Sequence, residues 1–120
     1  DVIVVGDRAT IKNPASTKVW HWHSKNAAVI TGNTFVLTNP AGDQRCHATV
    51  VHPTATLGSQ TYALDNSGAV TSNAVTVTMS GQASDVVVTV FQCNGQTPQV
   101  PQVTVGNAVT VVIAGRTIVL

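Results

Sequence analysis

The chain has 120 residues, a formal net charge of +1, 43% hydrophobic and 9% charged residues. That is one domain's worth of polypeptide, too apolar to be disordered and too thinly basic to hold nucleic acid. Val (22) and Thr (17) make up a third of it, with five Asp and no Glu, which argues against helices and for an all-β protein.

Turn signals recur at the short, regular spacing of a sandwich. Residues 2–5 read as a short strand closed by Gly6-Asp7, and 8–11 as resumed extended chain before the Asn13-Pro14 turn. Residues 17–24 alternate strictly: Val19, His21 and His23 take one face, and Lys18, Trp20, Trp22 and Ser24 the other. Val29-Ile30, the turn Thr31-Gly32-Asn33, the strand 34–38, the loop Asn39-Pro40-Ala41-Gly42-Asp43 and the strand 45–52 form a meander of hairpins. A polar connection over 54–59 leads to a short edge strand at 61–64. Residues 73–80 set Val75, Val77 and Met79 against Thr76, Thr78 and Ser80, the pattern of a half-buried strand. Residues 85–92 are more continuously apolar and read as a central strand covered on both faces. An irregular loop starts at Asn94-Gly95 and runs through 96–101, with Pro98 and Pro101 in it. Strands at 102–105, 108–114 and 116–120 follow, turned at Gly106-Asn107 and Gly115. No helix start or stop pair occurs. The expectation is a single all-β domain over residues 1–120, an antiparallel two-layer β-sandwich of about ten short strands.

Cys46 and Cys93 each fall in a strand. A small, Thr/Asn-rich β domain fits an exported protein, where a disulfide is permitted, and two buried thiols are the alternative. Spacing alone does not give the Cα separation that a bridge needs. No apolar run reaches the roughly 18 residues of a membrane span. The sequence starts at Asp1 with neither an initiator Met nor a signal-peptide pattern, as expected of a processed chain or a piece of a larger protein that is secreted, extracellular or periplasmic.

His21 and His23 leave one strand face about 7 Å apart at Cα. That spacing suits a transition ion such as zinc, which needs imidazoles converging at about 2 Å. A third ligand would come from His47, His52 or an Asp, and the two later histidines point to opposite faces. Strand histidines flanked by tryptophans are more often part of a packed or partly wet sheet face, and that is the favoured reading of the pair. Trp20 and Trp22, exposed, would stack on sugar rings; buried, they would fill a core otherwise built of Val, Ile, Leu and Ala. No G-x-S-x-G, P-loop or dinucleotide fingerprint is present, and adjacent Cys46 and His47 face opposite ways. With no Glu and five Asp, several of them in turns (Asp7, Asp43 and Asp65), an opposed carboxylate pair for glycoside hydrolysis is not expected. No catalytic residue and no organic cofactor is assigned. Lys12, Lys18, Lys25, Arg8, Arg45 and Arg116 read as dispersed, solvated charges.

The segment D-R-A-T-I-K-N-P-A-S-T-K-V-W-H-W-H-S, then A-V-I-T-G-N-T-F-V-L-T-N-P-A-G, then A-T-V-V-H-P resembles the C-terminal β region of heparinase II/III-like polysaccharide lyases. Trp20, His23, Ser24, Gly32, Asn33, Thr38, Asn39, Gly42 and Pro53 carry the resemblance. The strand around Asp85 to Gln92 and the closing hairpin extend it over most of the chain. It implies an exported sheet domain that lies beside an N-terminal helical catalytic domain and faces an acidic polysaccharide, with the β-elimination groups elsewhere. His21 and His23 lie outside that family's metal motif. A carbohydrate-binding or adhesin-type extracellular sandwich built on Trp20 and Trp22 is the alternative, with a glycan as its partner.

Overall fold

A computed structural model describes residues 1–69, 71–94 and 97–120. The expected loop opening at Gly95 and Gln96 lies outside the described residues. Among the described residues eleven strands follow in chain order: β1 (Val2–Thr10), β2 (Lys18–Ser24), β3 (Val29–Thr31), β4 (Thr34–Thr38), β5 (Arg45–Val51), β6 (Thr56–Ala63), β7 (Thr71–Met79), β8 (Ser84–Cys93), β9 (Gln102–Val105), β10 (Val109–Ile113) and β11 (Arg116–Val119). They form three antiparallel sheets, ordered β1-β8-β5-β4-β3, β2-β7-β6 and β11-β10-β9. The protein is an all-β antiparallel sandwich.

The sandwich core lies between the five-stranded sheet and β2-β7-β6. Phe35, Ala48, Val50, Val87 and Phe91 from the first meet Val75, Val77 and Met79 from the second. The opposite face of the five-stranded sheet is covered along β1, β8 and the end of β5. There Val88 and Val90 pack with Val109, Val111 and Ile113 of β9-β10-β11. The third small sheet therefore makes a further layer beyond the two expected.

Strand β8 explains the order of the layers. Its odd positions, Val87 and Phe91 among them, face the sandwich core, and its even positions Val88 and Val90 face the third sheet. A strand apolar on both faces needs cover on both, and each fully buried Val contributes about 1.5–3 kcal/mol. In β7, Val75, Val77 and Met79 are buried while Thr76 and Thr78 stay half-exposed.

Two boundaries differ most from the sequence reading. Gly6-Asp7 does not end the first strand. β1 pairs with β8 without a break from Val2↔Gln92 to Thr10↔Ser84, with Gly6 opposite Val88. Gly6 is a close approach instead, for a Cβ there would come within 2.9 Å of Leu120 Cδ1. The stretch 54–59 is not merely a connection. β6 begins at Thr56 and pairs with β7 through Ala63, a strand made by backbone pairing more than by apolar content. At the last hairpin, Ala114 (φ 51°) and Gly115 (φ 72°) are both left-handed, the requirement of the two-residue turn whose twist matches its strands.

Cys46 and Cys93 stand directly opposite each other in the β5–β8 ladder and are joined by a disulfide with S–S 2.05 Å.

Candidate functional site

Alternation along β2 divides its side chains between two environments. Trp20 and Trp22 point inward and pack against the sandwich core. The Trp22 ring meets Phe91 edge-on at 5.0 Å, and Phe91 meets Phe35 the same way at 5.9 Å. Three large rings thus fill the space that small aliphatic side chains leave. The indole Nε1 of Trp22 is buried without a hydrogen-bond partner among the described residues. Neither tryptophan forms a platform on the outer face of the sheet.

That outer face carries His21 and His23, both exposed. The β2–β7 and β6–β7 registers set His21 across Thr76 from Gly58, and His23 across Ala74 from Gln60. The middle strand offers only small side chains here, and a Cβ on Gly58 would stand 3.0 Å from Thr76 Oγ1. The rings can therefore lean across the sheet. Tyr62 does so from β6: its hydroxyl lies 3.3 Å from His21 Nε2 and donates to Gln60 Oε1 at 2.8 Å. Ring centroids of Tyr62 lie 6.0 Å from His21 and 5.6 Å from His23, and the two imidazoles are 6.0 Å apart. The result is an open patch of three rings with an amide at its edge. Among the described residues no cluster of three or more His, Cys, Asp or Glu converges on a common point. His47 lies on the other side of the five-stranded sheet, and His52 is engaged in the interior. Any metal on this patch would rest on His21 and His23 alone.

A second polar cluster lies inside the sandwich. Lys18 belongs to the same face of β2 as the tryptophans, so it enters the core and is 6% exposed. It is not one of the dispersed solvated charges. Its Nζ lies 2.6 Å from Asp85 Oδ2 and donates to the Gln82 carbonyl. Asp85 Oδ1 lies 3.0 Å from His52 Nε2. The backbone N–H of Thr54 donates to His52 Nδ1 at 3.2 Å, so Nδ1 is an acceptor and the ring's proton sits on Nε2, facing Asp85. All three side chains are about 3–4% exposed. The Lys18 ammonium holds the Asp85 carboxyl below the ordinary carboxylate range. Burial pushes the other way and is outweighed, with the His52 hydrogen bond adding to the downward shift. A cavity of about 400 Å³ opens beside the cluster, lined by Arg8, His52, Gln82, Ser84 and Asp85 among others.

Sequence reasoning missed both Tyr62 and the Lys18–Asp85–His52 cluster. One signal was present for the second, since alternation already placed Lys18 on the tryptophan face. A Lys on a buried face needs a carboxylate there.

Most residues that carried the lyase resemblance have structural work here. Asn33 donates its side-chain amide to the Val50 carbonyl and accepts the Val50 N–H on its own. Asn39 ties the β4–β5 loop through Asp43 and Gln44, and Asn26 binds Thr38 Oγ1 and the Asn39 carbonyl. Gly32 and Gly42 take left-handed φ values of 59° and 79°. Compared with known proteins, the chain matches no family model, no curated protein and no solved structure.

Proposed function

We propose that this chain is a non-catalytic β-sandwich module of an exported protein, and that it holds a polysaccharide on the open face of β2-β7-β6. The exposed patch of His21, His23 and Tyr62 carries this reading. A tyrosine ring offers an apolar face to the C–H groups of a sugar, and imidazole N–H and the Gln60 amide serve its hydroxyls. An imidazole gains charge on protonation, which favours uronate or sulfate groups. The disulfide fits an oxidising compartment. The lyase-like segment supports an acidic polysaccharide as ligand, and a lyase sheet domain as the parent arrangement.

The test is a titration of the purified chain with uronate-containing and neutral polysaccharides, followed through the histidine ring resonances in NMR. Shifts confined to His21 and His23, and abolished in a Tyr62→Ala, His21→Ala double variant that keeps its fold, support the reading. Unmoved His21 and His23 resonances with every polysaccharide overturn it.

A further inference from the structure

The interior cluster has no part in the proposed glycan face, and it is costly to keep. Burying an ammonium and a carboxylate together gives up the hydration of both, and their attraction only partly offsets that loss. Lys18 and Asp85 lie on facing sheets, β2 and β8, and touch across the sandwich. An amine held against a carboxyl group in a buried contact is also a reactant pair. Fixed contact replaces a bimolecular encounter, and intramolecular reactions so oriented reach effective molarities of about 10⁵ M or more.

We propose that Lys18 and Asp85 condense to an intramolecular amide, a covalent link between Nζ of β2 and Cγ of β8. The ammonium first passes a proton to Oδ2 across the 2.6 Å contact, giving a neutral amine and a neutral acid. The attraction between the two groups keeps the neutral pair a minor state, and burial, which disfavours both charges, works toward it. The nitrogen lone pair then attacks Cγ. Negative charge develops on Oδ1, where the His52 Nε2–H stands 3.0 Å away as a donor. The Thr54 N–H at Nδ1 keeps the ring in that tautomer. The Gln82 carbonyl accepts an N–H from Nζ and orients the amine. Oδ2 contacts only Nζ among the described residues, whereas Oδ1 is held by His52, so Oδ2 is the oxygen that leaves. It takes a second proton from the nitrogen and departs as water, and the adjoining cavity receives it. Ammonium plus carboxylate thus become one amide and one water, with no oxidant, reductant or cofactor consumed.

In these terms His52, Thr54 and Gln82 position and polarise, and Lys18 and Asp85 are the reacting groups. The product removes both buried charges at once.

The deciding measurement is the intact mass of the folded chain after full reduction of its disulfide. The expected mass is one water below that of the sequence. Tandem fragmentation is expected to show a branched peptide joining Lys18 to Asp85, and trypsin to leave the Lys18 bond uncut. Lys18→Arg and Asp85→Ala should have their full sequence masses. His52→Ala should remain largely uncondensed at a time when the parent chain is complete. A reduced parent chain at the full sequence mass overturns the proposal. So does a one-water loss that fragmentation places elsewhere, such as a succinimide at another Asp. Both results come from the parent chain, so they stand even if a variant fails to fold.

Discussion

Lys18 and His21 are three residues apart on β2, yet they live under opposite rules. Lys18 lies inside the sandwich with every contact specified: a carboxylate, a carbonyl, and a histidine beyond them. His21 lies outside and has one long contact to a tyrosine hydroxyl. The inner cluster is complete within the chain. The outer patch has unfilled hydrogen-bonding capacity and open space above it. Polar groups that the fold has satisfied hold structure; polar groups that it has left open can recognise something else.

The largest effect should come from breaking the inner side. Asp85→Ala leaves an ammonium in the core without its partner, or removes a cross-link where one has formed. A loss of about 3–5 kcal/mol is expected, read by urea unfolding. Removing the disulfide comes next. The Cys46→Ala, Cys93→Ala double variant should lose about 2–4 kcal/mol through the freed chain entropy of the unfolded state.

Acid sharpens the contrast further. In Lys18→Arg the pair stays ionic, and the guanidinium is expected to hold the Asp85 carboxyl below its unfolded pKa as the Lys18 ammonium does in the unlinked chain. The stability Asp85 contributes is then complete above its unfolded pKa of about 4 and is lost as pH falls through the lower folded value. An amide-linked chain has no carboxyl at residue 85 and lacks this loss. Unfolding of the two proteins compared between neutral pH and the acid range measures the difference. The smallest effect belongs to the outer side. His21→Ala and His23→Ala should each change stability by no more than about 0.5 kcal/mol while abolishing the polysaccharide-induced resonance shifts of the patch.

The strands were readable where side chains enforce them. β7 alternates because one face is buried, and β8 is continuously apolar because both are. β6 was shortened in the sequence reading because Thr56, Gly58 and Ser59 carry little apolar signal, and pairing with β7 decides their conformation. Gly6 looked like a stop, although its role, room for Leu120, depends on a residue at the far end of the chain. The same distance hid the inner cluster. His52 and Asp85 are 33 residues apart, and no local pattern announces that two sheets will bring them together. Tyr62 joined the histidines for a similar reason, through the order β2-β7-β6.

Strand β8 has a mechanical meaning as well. Its Cys93 end is bonded to β5, and its Asp85 end is clamped to β2. It is paired with β1 from Ser84 to Gln92 on one side and with β5 from Val88 to Cys93 on the other. A ribbon fastened at both ends cannot be unzipped one ladder bond at a time. Under tension the outlying strands β3, β6 and β11 would peel first, and β8 would remain the keel on which they re-form.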